Sequence, residues 1–156
     1  MLERLIKKLE KEGKLKMQKA GIVQIEALLR QAMLDLQEAN KISHIANRAT
    51  YILAYMAMLK AGRALLLLNG FVPDDGAQHK TVVEITGAIL GDKYTTLVGH
   101  FEIMRRKRNE MTYETTALLS ASEAKKAFSD ASTLVQAILK EVKSQNPQLE
   151  LEFKLD

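Results

Sequence analysis

The chain of 156 residues has no cysteine, no tryptophan and only two prolines, and few of its side chains are aromatic. Without cysteine it has no disulfide framework, no thiolate metal ligand and no cysteine nucleophile, so we expect a reducing, cytoplasmic setting. Two prolines leave long stretches in which a helix is not interrupted. Because Ala, Leu, Met, Glu and Lys are abundant, the composition predicts an all-α protein.

Long uncharged apolar runs are also missing. Lys60 and Arg63 interrupt the most apolar stretch, YILAYMAMLKAGRALLLL, and the N-terminus MLERLIKKLEKEGKLK is too charged for a signal sequence. We therefore expect a soluble protein with no membrane contact. The net charge of +4 suits a polyanionic partner such as nucleic acid, but proteins that bind no polyanion also carry such a charge.

Helical periodicity predicts one domain, residues 1–156, folded as an up-and-down antiparallel helical bundle of about five to six helices. A short N-terminal helix within residues 1–20 is expected to be loosely attached. In helix two, apolar residues recur at steps of three and four from Ile22 to Ala39. Helix three, from about Ala46 to Asn69, is apolar on almost every side and is predicted to be central.

The second half of the chain predicts three more helices and a tail. Helix four is a shorter crossover element that ends at Gly91, and helix five runs from about Lys93 to Tyr113. Helix six begins at a capping box formed by Ser120 and Glu123. Residues 147–156 alternate between apolar and polar like a strand but have no evident partner strand, so we expect an extended and mobile tail.

Arg108 lies on the buried stripe of helix five, between Met104 and Met111. A guanidinium at such a position needs either a carboxylate from another helix or a cleft that is open to solvent and ligand. Glu84 and Asp130 are candidate partners, and the sequence does not choose between the partner and the cleft.

An adjacent face of helix five brings Arg105, Asn109 and either Thr112 or Tyr113 into line at spacings of three and four. Together with Arg108, a planar cation, an amide and a hydroxyl on this face can hold a phosphate. The alternative is that the basic run RRKR complements the helix dipole and solvates an exposed face. Both interpretations are open at this point.

Four sequence pieces, in their order and spacing, resemble a HEPN domain, the higher eukaryotes and prokaryotes nucleotide-binding family. The resemblance covers the middle of the chain, and the flanking helices are compatible with it. The pieces are AYMAMLKAGRALL (Ala54–Leu66), GFVP (Gly70–Pro73), HKTVVE (His79–Glu84) and RRKRNEMTY (Arg105–Tyr113).

The resemblance implies a homodimer whose motif helices face a shared cleft, or a heterodimer with a nucleotidyltransferase partner in a toxin–antitoxin pair. Many HEPN proteins are similar to metal-independent ribonucleases that use an arginine and a histidine separated by four to six intervening residues. Here, counting from Arg105, Arg106 or Arg108, residues Glu110 to Thr115 occupy those places and none is a histidine.

We therefore predict a nucleotide- or RNA-binding module that uses Arg105, Arg108, Asn109 and Tyr113. The alternative is a metal-independent endoribonuclease that uses the Arg/Asn/Tyr cluster of helix five. It comes second because the missing histidine removes most acid–base assistance.

The three histidines lie elsewhere in the chain. We expect structural roles for His79 and His100, although either would restore an enzyme if the other subunit brought it to the arginines; His44 gives no signal. No histidine has a second histidine or paired acids at metal-ligand spacing, so we expect no metal and no cofactor.

Overall fold

The computed structural model describes residues 2–19, 21–74, 78–113 and 118–155. Within them the chain forms a helical bundle, which confirms the predicted all-α class. A 3-10 turn at Asp92–Tyr94 leads into the fifth helix. The helices are α1 (Leu2–Lys11), α2 (Ile22–Ile42), α3 (Asn47–Leu68), α4 (Gln78–Leu90), α5 (Thr95–Tyr113) and α6 (Ala121–Gln145).

Helix α3 is the centre of the bundle, as its apolar composition predicts. It packs most extensively against α2 and α6, and it also contacts α4 and α5. The connection between α2 and α3 is four residues long, so these two packed helices are antiparallel neighbours. The hydrophobic core is continuous around α3, from Leu9 in α1 to Leu151 near the C-terminus.

The length and apolar content of α3 reach those of a membrane-spanning helix despite Lys60 and Arg63, so the sequence argument from those two charges was wrong. The helix packs inside the bundle instead. In its most apolar window, 67% of the residues are buried within the fold, as in the core helix of a soluble protein.

The predicted capping box at the start of α6 is confirmed. The Ser120 hydroxyl accepts a hydrogen bond from the backbone N–H of Glu123 at 3.1 Å, and the Ser120 backbone N–H donates to Glu123 Oε1 at 3.2 Å. Two of the free N–H groups at this helix end are thereby satisfied.

A small antiparallel ribbon joins two segments that the sequence analysis did not assign to strands. Strand β1 (Leu15–Met17) pairs with β2 (Phe71–Pro73), with Leu15 opposite Pro73. The predicted short N-terminal helix is present as α1, but the expectation that it is loosely attached was wrong. Leu9 and Leu15 are 2% and 3% exposed, so this segment belongs to the core.

The C-terminal tail is extended, as predicted, but it is docked rather than mobile. Gln37 Nε2 donates to the Lys154 carbonyl at 3.1 Å, and Asn40 Nδ2 donates to the Leu155 carbonyl at 3.3 Å. The alternating apolar residues bury Leu149 and Leu151. The tail therefore uses its strand-like alternation to cover α2 without a partner strand.

Gly62 sets the distance between α3 and α4. A Cβ atom at this position would lie 2.6 Å from Val82 Cγ1 and 2.9 Å from Thr86 Oγ1, and both neighbouring side chains are buried. Contacts of this length require the helices to move apart, so the close approach depends on the missing side chain.

We predict that Gly62→Ala destabilises the protein by about 1–3 kcal/mol, because overpacking outweighs the better helix propensity of alanine. Urea denaturation measures the change. Gly99→Ala is the control, since a Cβ at Gly99 in α5 meets nothing within 4 Å. The control should be neutral or more stable than wild type by up to about 1 kcal/mol. An equal change in the free energy of unfolding of the two variants would contradict the close approach of α3 and α4 at Gly62.

Candidate phosphate-binding site

Arg105 is tied to an acid on its own helix. Its Nε and Nη2 atoms donate to the two carboxylate oxygens of Glu102 at 2.6 and 3.0 Å, and Arg106 Nε donates to the same carboxylate at 3.1 Å. The hydrogen bond from Arg105 is the main reason that the pKa of Glu102 lies below its usual value. Glu102 therefore offsets part of the positive charge of the motif, which the sequence analysis did not anticipate.

Arg108 is partly buried and forms no ion pair with a described residue. Neither candidate partner pairs with it. Asp130 lies 3.2 Å from His100 and 3.7 Å from Lys126, and Glu84 contributes instead to the raised pKa of Arg105. Among the described residues, Arg108 therefore has no carboxylate of the kind that a buried salt bridge requires.

His79, at the start of α4, lies near the two arginines within the same chain. Its Nδ1 atom is 2.9 Å from the hydroxyl of Tyr55, a fully buried residue of α3. Burial lowers the pKa of His79, and the charges of Arg108, Arg63 and Arg105 lower it further. The imidazole is therefore neutral at pH 7 and offers one N–H and one lone pair.

Tyr55 holds this imidazole without ionising itself. Burial raises the pKa of Tyr55 to about 12, although Arg105 and Arg108 act in the opposite direction. The tyrosine therefore keeps its proton at neutral pH and remains a neutral hydrogen-bonding group. Its ring also packs against Phe101 of α5 at 5.9 Å between centroids, which couples α3, α4 and α5 at this point.

Arg63 adds a third cation from α3. Its Nη2 donates to Gln78 Oε1 at 3.2 Å, while its Nε is buried without a hydrogen-bond partner among the described residues. We call Arg63, His79, Arg105 and Arg108 the arginine–histidine cluster. Arg63 was not among the predicted site residues, although a charge inside the most apolar helix is a signal that could have identified it.

Asn109 and Tyr113, the other two predicted site residues, lie on the exposed surface of α5. Tyr113 is 79% exposed. Thr112, the alternative to Tyr113, uses its hydroxyl to donate to the Arg108 carbonyl at 3.0 Å. Positions 114 and 115, two of the places searched for a histidine, lie outside the described residues. Asn109 and Tyr113 are thus accessible to a ligand but are not part of the cluster.

Within residues 2–19, 21–74, 78–113 and 118–155, no group of three His, Asp or Glu side chains is arranged to hold a metal ion. The chain matches no protein-family model and no curated protein. The HEPN resemblance stays a prediction.

We predict that His79 makes stability depend on pH below about 6.5, its ordinary pKa. Because its folded pKa lies below that value, the unfolded chain binds more protons in acid. The neutral, partly buried imidazole contributes its full stability above pH 6.5, and this contribution decreases as the pH falls below 6.5. In His79→Gln, the thermal melting temperature should change less with pH between about pH 5 and 7 than it does in wild type.

The control is His44→Gln, which changes an exposed histidine outside the cluster. It should retain the wild-type pH profile. If His79→Gln and His44→Gln gave the same profile, the cluster would not act on His79.

Proposed function

We propose that this chain is a HEPN-like module that binds RNA or a nucleotide through its phosphate, with Arg108 as the central contact. The partly buried guanidinium of Arg108, which pairs with no carboxylate among the described residues, is the observation that carries this proposal. A second and a third arginine stand close enough to act on the same imidazole, so their charges add at one place. A phosphate there would offset mutual repulsion among the cations.

The other predicted residues contribute around this contact. Arg105 contributes a planar cation whose Nε and Nη2 donate to Glu102 in the free protein, while the Asn109 amide and the Tyr113 phenol are exposed on the same helix. In the proposal Asn109 donates to a phosphate or ribose oxygen, and Tyr113 packs against a sugar or base. Phosphate contacts of this kind give affinity without sequence specificity.

A metal-independent endoribonuclease is the second candidate, and His79 is the observation that favours it. The neutral imidazole can accept the proton of a ribose 2′-hydroxyl while Arg108 stabilises charge on the phosphate. The 2′-oxygen then attacks phosphorus, and the 5′-oxygen leaves with a proton from solvent. A 2′,3′-cyclic phosphate end that forms with wild type and not with His79→Gln would favour the enzyme over the binding module.

The proposal also includes a homodimer, or a complex with a nucleotidyltransferase-type protein in a toxin–antitoxin pair, in the cytoplasm. The HEPN resemblance alone supports these partners. The apolar surface of α3 gives no further reason for a dimer, because helices of the same chain cover it. Light scattering of the purified chain tests the homodimer, and co-purification tests the second partner.

We predict that Arg108→Ala weakens binding of a labelled oligoribonucleotide and lowers the slope of log K against log salt by about one. Stability should change little or increase, because no described carboxylate loses its partner. Arg48→Ala, the same change at an exposed site at the start of α3, is the control. A loss of about 3–5 kcal/mol in stability would indicate a buried salt bridge instead, and wild type that binds no RNA at low salt would refute the proposal.

We predict that Glu102→Gln strengthens oligoribonucleotide binding, because it frees the Arg105 and Arg106 guanidiniums from their shared carboxylate. The salt dependence should become steeper. Glu26→Gln is the control, since it removes the same charge from an exposed pair with Arg30 on α2. Unchanged or weaker binding by the Glu102 variant alone would show that Glu102 positions Arg105 for the ligand rather than competing with it.

A further inference from the structure

A cleft of about 110 Å³ lies between α5 and α6, with α3 at its base, and we call it the α5–α6 cleft. It is separate from the arginine–histidine cluster. His100, which lines it, is five positions from Arg105, so the two side chains point about 140° apart around the helix. The lining residues are Tyr51 from α3, His100, Ile103 and Met104 from α5, and Glu123, Lys126, Ala127 and Asp130 from α6.

The spacing of residues in α6 creates the hollow. Glu123, Ala127 and Asp130 follow one another at steps of four and three, so they share one helix face. The small side chain of Ala127 leaves space between the two carboxylates. Across the cleft, Met104 is buried and Ile103 is 62% exposed at the mouth. The cleft therefore has apolar walls and an acidic rim.

Tyr51 supplies an unpaired polar group at the base of this cleft. The residue is only 4% exposed, yet its hydroxyl forms no hydrogen bond with a described residue and is not fully closed off from solvent. The hydroxyl therefore keeps hydrogen-bonding capacity toward the cleft, which a ligand bound there can use.

The carboxylates around Tyr51 make the electrostatic potential at its phenol negative. Burial raises the pKa of its phenol, and the charges of Glu123, Glu110 and Asp130 raise it further. Lys126 at the rim compensates these carboxylates weakly. Lys126 Nζ lies 3.7 Å from Asp130, and its side chain is 62% exposed. An exposed contact of this kind is worth little and yields readily to a better-placed cation.

His100 completes the acidic side of the cleft. Its Nδ1 atom is buried 3.2 Å from Asp130 Oδ2, but the geometry is not that of an aligned hydrogen bond. Glu123 Oε2 similarly has only Lys107 Nζ at 3.8 Å, while Glu123 Oε1 is taken by the helix cap. Both carboxylates therefore retain acceptor capacity toward the cleft.

We propose that the α5–α6 cleft binds a small organic cation, an ammonium or guanidinium group on a short alkyl chain. The Tyr51 hydroxyl accepts a hydrogen bond from the cationic head, Asp130 offsets its charge, and Ile103 and Met104 contact the alkyl chain. The volume fits a group of side-chain size, so the cation can be a free amine or the Lys or Arg side chain of a peptide. This site is independent of phosphate binding at Arg108.

The test is an NMR titration of the ¹⁵N-labelled full chain with n-butylammonium and n-butylguanidinium. We expect saturable shifts at Ile103 and Ala127, and no saturable shifts with 1-butanol, which has the same alkyl chain without the charge. Asp130→Asn and Tyr51→Phe should each weaken binding about tenfold or more, since each removes a partner of a charged group. Asp74→Asn removes the same charge beside Lys16 and should bind as wild type does.

A short peptide with a single arginine, titrated beside the free cations, distinguishes the two sources. Tighter binding of the peptide at the same residues supports the cleft and assigns it to a protein side chain. The proposal is overturned if neither cation produces saturable shifts, if 1-butanol binds equally well, or if Asp130→Asn and Tyr51→Phe bind as tightly as Asp74→Asn. Spectra of each variant show whether it is folded, and either of the two informative variants is sufficient for the test.

Discussion

The burial of α3 is the constraint on which the rest of the structure depends. A helix that is apolar on nearly every side must be surrounded, and α2, α4, α5 and α6 all contact it. Small residues along it, such as Ala54, Ala61 and Gly62, let these neighbours approach closely. The same helix carries Tyr55 and Arg63 toward α4, so the element that organises the core also supplies two groups beside His79.

The candidate site consists mainly of positively charged side chains that lie beside this core. Burial lowers the pKa of His79 most, and the charges of Arg108, Arg63 and Arg105 lower it further, so the three arginines act at one place. Glu102 neutralises Arg105 and Arg106 in part, whereas Arg108 has no such partner among the described residues. Among the described residues, the positive charge of the cluster that no carboxylate offsets is therefore carried by Arg108 from α5 and Arg63 from α3, both of which act on His79 of α4. An anion is the ligand that such an imbalance favours.

Local pattern predicted most of the fold. Helix three was expected from about Ala46 to Asn69 and is Asn47–Leu68, because a long apolar stretch bounded by turn residues has few alternatives. The ribbon of β1 and β2 was missed, since it pairs three residues with three others more than fifty positions away. Short pairings of this kind carry no periodic signal. The docking of the tail on α2 was missed because it also depends on contacts distant in sequence.

The candidate site was predicted less completely, for the same reason. Helical spacing on α5 identified Arg108 as a cation on a buried stripe, and the residue is partly buried in the structure. The approach of His79 from α4 and of Arg63 from α3 is a meeting of three helices, which spacing along one helix cannot predict. The neighbours that other helices bring to Arg108 could therefore be identified only from the structure.

The pKa of His79, measured by NMR with and without a saturating mononucleotide, tests most directly whether the cluster holds a phosphate. Without the nucleotide, burial and then the charges of the three arginines keep this pKa below its ordinary value of 6.5. A phosphate bound at Arg108 adds negative charge nearby, so the account predicts that the nucleotide raises the pKa of His79, and that Arg108→Ala removes this response. A His79 pKa that is already normal in the free protein, or that does not change when the nucleotide binds, would contradict the account.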